Sequence, residues 1–224
     1  MKKTAKLLTL AVALFAGFAG TAQAEGFKVG ADVVSSYVWR GGDLGDSAAI
    51  QPALSYTFEG GNVIVGAWGS YAVSDQNGNA RYKETDLYAT VLAGPFNLTV
   101  TDYYVPTGTN TRAFNFKKDG PNVVEVSAGY AKDELSLLAA INVAGTENGN
   151  AKYFEAGYKF YDKDGYSAKG VAGIGNRRSY GNTAQEDKVV FVNTGISVSK
   201  DRYTASYVYN PDTEKSNIIF MASF

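Results

Sequence analysis

The chain has 224 residues, with 21 lysines and arginines against 22 aspartates and glutamates, and is close to neutral. It contains neither cysteine nor histidine. Disulfides, thiolate metal sites and thiol nucleophiles are therefore excluded. The commonest general base and metal ligand is missing as well, so no catalytic, cofactor-binding or metal residue is expected. With 16 Tyr, 25 Gly and 5 Pro, the composition suits a turn-rich β protein with long strands.

The first residues read as an export signal. Met1-Lys2-Lys3-Thr4-Ala5-Lys6 is basic, Leu7 to Gly20 is apolar, and Thr21-Ala22-Gln23-Ala24 offers a small-x-small cleavage pattern. The apolar stretch, about 14 residues, is shorter than the ~20 a spanning helix needs. Residues 1–24 are thus expected to be a cleaved signal peptide, and residues 25–224 one domain. Without Lys2, Lys3 and Lys6 the remainder carries 18 basic and 22 acidic residues, a net charge of −4. That balance gives no footprint for nucleic acid.

From Phe27 onward apolar and polar residues alternate with period two. Twelve strands are predicted, at 27–40, 49–58, 62–72, 83–93, 96–105, 122–131, 134–143, 151–161, 165–175, 188–199, 202–210 and 216–224. Their connections alternate without a break. Glu59-Gly60-Gly61, Gly94-Pro95, Lys132-Asp133, Asp162-Lys163-Asp164 and Lys200-Asp201 are tight turns. Segments 41–48, 73–82, 106–121, 144–150, 176–187 and 211–215 are longer loops. Short turns on one side and long loops on the other are the asymmetry of bacterial outer-membrane barrels. The expected fold is an all-β, antiparallel transmembrane β-barrel of 12 strands with both termini periplasmic.

Aromatic residues gather near both predicted rims, with Phe27, Phe58, Phe96, Phe160, Tyr166, Tyr203 and Phe224 at the turn side. Tyr37, Trp39, Tyr71, Tyr104 and Tyr209 fall at the loop side. Leu138 and Phe191 break the pattern by placing apolar groups inward. Asp102 shares parity with Phe96, Leu98 and Val100 and would face lipid, unless a bulge between Val100 and Tyr103 turns it inward.

The last strand carries Ile218, Phe220 and Phe224 on one face. This ending resembles the insertion signal of outer-membrane barrels, which implies the barrel-assembly machinery and outer-membrane lipid as partners. Val33-Val34-Ser35-Ser36-Tyr37-Val38-Trp39-Arg40-Gly41, followed by Ala49-Ile50-Gln51-Pro52-Ala53-Leu54, resembles the opening of the TorF family of small outer-membrane porins. The resemblance implies channel activity in the outer membrane and brings no catalytic residue.

By strand parity the lumen gathers Lys28, Asp32, Arg40, Asp86, Glu125, Glu155, Lys159 and Lys169. Separated by sign across the pore, these charges would set up a transverse field that orients small polar solutes. Interleaved, they would pair and close the barrel. Arg40 has the same two readings, a salt bridge that fixes loop 41–48 or a contact for solute. A barrel of roughly eight strands is filled by side chains, whereas one of about sixteen leaves a channel, and twelve lies between. The expectation is a narrow porin-like channel for small polar solutes; the alternative is a closed barrel whose external loops carry a structural or surface-interaction role.

Overall fold

The computed structural model describes residues 25–45, 47–75, 80–108, 110–118, 120–145 and 151–224. Segment 1–24, expected to be the signal, lies outside the described residues. The strands run β1 (Gly26–Val34), β2 (Val38–Trp39), β3 (Gly42–Asp43), β4 (Ala49–Thr57), β5 (Val63–Ala72), β6 (Lys83–Ala93) and β7 (Phe96–Tyr104). They continue as β8 (Asn122–Lys132), β9 (Leu135–Ala144), β10 (Lys152–Lys163), β11 (Tyr166–Asn176), β12 (Val189–Lys200), β13 (Tyr203–Asn210) and β14 (Lys215–Ser223). A single helical turn, α1 (Arg177–Tyr180), stands between β11 and β12.

Each long strand pairs antiparallel with its neighbours in sequence, and β1 pairs with both β4 and β14, so twelve strands close into a barrel. The short connections work because aspartate and glycine accept left-handed backbone: Asp133, Asp201 and Gly94 have φ of 54°, 54° and 58°. The closing seam is the thinnest pairing. β14 meets β1 only at Asp32↔Ser223, Val33↔Ala222 and Val34↔Met221, with Phe224 and Ala31 exchanging both main-chain hydrogen bonds just beyond.

The side chains are sorted inside-out. Asp32, Gln51, Ser70, Glu84, Asp86, Thr90, Thr99, Thr101, Glu125, Ser127, Thr204 and Ser206 are buried. Phe27, Val29, Ile50, Leu54, Leu87, Val91, Leu98, Val100, Ile196 and Phe220 are exposed on the outer wall. A sandwich in water would show the reverse.

Three expectations about parity are corrected. The first predicted strand stops at Val34 instead of running to position 40. Ser35 Oγ accepts the Phe220 N–H at 2.9 Å, and the chain then doubles back as the β2–β3 hairpin, with Val38 opposite Asp43 and Trp39 opposite Gly42. Its two-residue turn, Arg40-Gly41, has φ of 51° and 84°, a primed turn in which both central residues are left-handed. Tyr37 and Trp39 consequently point inward, not toward the outer rim. At β12 a bulge opposite Gly173/Ile174 inserts Val192, which is fully buried, and returns Phe191 to the outer wall. Leu138 does face inward as expected, packed against a small cluster of Ala140, Tyr153, Tyr180 and Val192.

Asp102 keeps its outward parity, because the β6–β7 and β7–β8 registers run through Val100 to Tyr103 without a shift. Its carboxylate sits near the loop end of β7 and accepts both hydrogen bonds from the Asn122 amide, at 2.9 and 3.1 Å. The amide spares the charge from facing an apolar surround alone.

Candidate functional site

The β2–β3 hairpin folds into the barrel mouth and delivers Arg40 to the interior. Gly41 is seated so close to β12 that a Cβ there would lie 2.0 Å from the Val192 carbonyl oxygen. Only glycine meets both that contact and φ of 84°. Arg40 is 7 % exposed and makes a bidentate pair with Glu125, Nη1 to Oε2 at 2.7 Å and Nη2 to Oε1 at 2.9 Å. Nη1 also donates to the Tyr180 hydroxyl at 2.9 Å. The guanidinium lies 4.3 Å from the Trp39 ring centroid and 4.5 Å from that of Tyr153. Desolvated cation–π contacts of this kind contribute about 2 kcal/mol. Tyr103 donates to Glu125 Oε1 at 3.2 Å, and its ring meets Trp39 edge-on.

The loop carrying α1 packs on the same hairpin. Tyr180 packs on Trp39 and Tyr153, with ring centroids at 5.6 and 5.3 Å. Asn210 Nδ2 donates to the Tyr180 carbonyl at 2.8 Å. Arg177 grips Asp212 through Nε at 2.9 Å and Nη2 at 2.8 Å, and Asp212 also accepts the Asn182 N–H at 2.7 Å. Burial alone would raise the Asp212 carboxyl. Those hydrogen bonds and the positive charges of Arg177 and Lys188 outweigh it and hold the group below its ordinary value.

Of the eight predicted lumen residues, the fold brings only Arg40 and Glu125 into direct contact. Glu155 joins them through Tyr153, whose hydroxyl donates to Glu155 Oε2 at 2.6 Å while its ring underlies Arg40. Asn193 also donates to Glu155 Oε2, at 3.0 Å. Asp32 and Asp86 are buried on the same inner face. Lys28, Lys159 and Lys169 lie elsewhere, toward the short-turn end of β1, β10 and β11. Lys28 is exposed there, and Lys159 leans out to Asp162 at 2.6 Å rather than to Glu155. Its register partner is Lys169, and like charges directly opposite repel. Lys169 lies over Gly157.

The charges are therefore separated, but along the barrel axis instead of across it. Carboxylates crowd the loop end around one arginine, and lysines occupy the turn end. Ile218, Phe220 and Phe224 are all on the outer wall, at 66, 62 and 67 % exposure, the shared face their spacing predicts.

Sequence reasoning missed Glu84, although it shares the inward parity of Asp86, because it sits at a strand margin. Tyr180 and Asp212 lie in loops, where no period marks direction. Tyr103 and Tyr153 carried the inward parity and could have been found by it.

A family model described as a bacterial protein of unknown function (Gcw_chp) matches residues 19–222, and the chain belongs to that family. No curated protein matches the chain.

Proposed function

We propose that this family member is a bacterial outer-membrane barrel whose polar lumen is closed, in the state described, by the inward-folded β2–β3 hairpin. The membrane part of this reading is supported by the outer wall. Each large apolar side chain left in water would forgo about 1.5–3 kcal/mol of burial, and dozens of such residues ring the barrel. Lipid removes that penalty, and the closed ladder leaves few main-chain groups unpaired there. The export-signal pattern in residues 1–24 and the resemblance of the opening motif to the TorF porins point the same way.

One observation carries the closure: the Arg40–Glu125 pair, shielded from solvent and walled by Trp39, Tyr103, Tyr153 and Tyr180. The porin-like passage of small polar solutes then requires the hairpin to withdraw, because the remaining inner face of β5–β8 is polar. The chemistry that these residues perform is binding and obstruction, not bond making. In vesicles, the refolded protein should shift its gel mobility on heating and should pass no glycerol or small sugar faster than protein-free lipid. Rapid solute entry through the unaltered protein would show an open pore and refute the closure. Failure to associate with vesicles at all would refute the membrane reading.

A further inference from the structure

The β2–β3 hairpin reaches across the lumen to β12 and spends its arginine on Glu125 of β8, while on the wall from β5 to β7 two carboxylates have no basic partner among the described residues. Glu84 and Asp86 point inward from successive inner positions of β6, at 5 and 3 % exposure. Among the described residues no lysine or arginine forms an ion pair with either. Glu84 is held by the Tyr82 hydroxyl at 2.9 Å. In Asp86 the Oδ1 atom is shielded from solvent and has no hydrogen-bond partner.

Two further buried groups on the same inner face share that condition. The Trp68 indole N–H, on the residue directly opposite Asp86 in β5, donates to nothing. The Thr101 hydroxyl, diagonal to Asp86 on β7, is equally without a partner. Directly opposite side chains in a sheet start about 5 Å apart, and diagonal ones about 7–8 Å. A carboxyl oxygen, an indole N–H and a hydroxyl, none with a partner, thus form a cluster on neighbouring inner positions. Tyr37 roofs it, its ring 5.4 Å from Trp68 and 5.9 Å from Tyr82. Leaving such groups unmatched is unfavourable, most of all for the carboxyl, so a ligand that matches them is favoured.

We propose that this cluster binds a small primary ammonium solute that also bears an oxygen, with a short amino alcohol as the simplest form. The ammonium would donate to Asp86 Oδ1 and Thr101 Oγ1, with Glu84 supplying a second negative charge. The indole N–H of Trp68 would donate to the solute's oxygen, and the faces of Trp68 and Tyr37 would flank the cation. A metal ion fits less well: among the described residues no three carboxylates group as ligands, and an indole N–H is a donor only. The inference rests on the barrel reading and names the class of solute the lumen would select.

Ethanolamine serves as the probe, titrated at constant ionic strength into the folded barrel in detergent, with thermal unfolding and tryptophan fluorescence as readouts. A saturable rise in melting temperature is expected, accompanied by a fluorescence change. Asp86→Asn should fold with unaltered mobility and weaken the apparent Kd at least ~10-fold, the loss expected for a charge-assisted contact. Trp68→Phe provides a second variant should Asp86→Asn fold poorly, and it should weaken ethanolamine more than propylamine. No saturable response, an equal response in Asp86→Asn, or the same response to potassium or magnesium ions would overturn the proposal. Binding needs no conduction, so an open wild-type pore would refute closure and leave this test standing.

Discussion

Arg40 is the residue on which the interior turns. Removing it leaves Glu125 buried without a counter-charge, which costs about 3–5 kcal/mol when one partner of a buried pair is lost. Arg40→Ala should therefore lower the melting temperature clearly. Arg40→Ala combined with Glu125→Gln should recover much of the loss, because the orphaned charge is gone; equal destabilisation of the single and double variants, read by thermal unfolding, would mean that the stacking on Trp39 and Tyr153 matters more than the pair. Gly41→Ala tests the same hairpin by shape. The new methyl would meet the Val192 carbonyl oxygen at a φ that costs a side chain about 1–2 kcal/mol, so the hairpin should become accessible to protease while the barrel stays folded. The sequence marked Arg40 as a candidate for loop anchoring but left its partner open. Parity along a strand says which way a residue points and nothing about which distant strand it will meet; the Glu125 contact spans 85 positions.

At the scale of elements, the wall was far more legible than what fills it. Apart from the first, the strands keep their predicted bounds to within two residues at each end, because period two and turn residues are local signals. The first strand misled because Tyr37 and Trp39 continue the alternation of β1 after the chain has left the sheet. The signal against it was Ser35-Ser36 and the Arg40-Gly41 turn, which look like strand continuation and loop when read only for period. Phe191 turns outward against its expected parity for a related reason: a bulge inserts one residue and reverses parity beyond it, and nothing local announces it. Two elements invite experiments. The α1 loop is held by Asp212, whose carboxyl is lowered in the folded state. A lowered folded value means that its stabilisation is present above the unfolded value, near 3.9, and is lost as pH falls through the folded value. Asp212→Asn should thus destabilise the loop at neutral pH, with the difference from wild type fading below about pH 4; hydrogen exchange of residues 177–182 reads it, and a difference that grows with acid would refute the sign. The seam is the second. Deleting Phe224 removes both main-chain bonds to Ala31 where pairing is already short, and Phe224→Asp sets a charge on the apolar outer wall at the rim. Both should lower the yield of folded, heat-modifiable barrel, the second more than the first, and unchanged yields would show that the β1–β14 closure does not depend on this residue.

The whole molecule is a barrel with a polar-lined interior, an apolar exterior, an axial separation of charge and a first loop folded into its mouth, which we propose closes it. Strand count left conduction undecided, since twelve strands enclose more than a filled core and less than a wide pore. In the function proposed above, the contacts of one hairpin close the lumen. Planar-bilayer recording of wild type beside Arg40→Ala tests this most directly. The account predicts a quiet wild type and discrete conductance steps in Arg40→Ala, selective for cations because Glu84, Asp86 and Glu125 then line the opened mouth without Arg40. Steady conductance in wild type, left unchanged by Arg40→Ala, would contradict it.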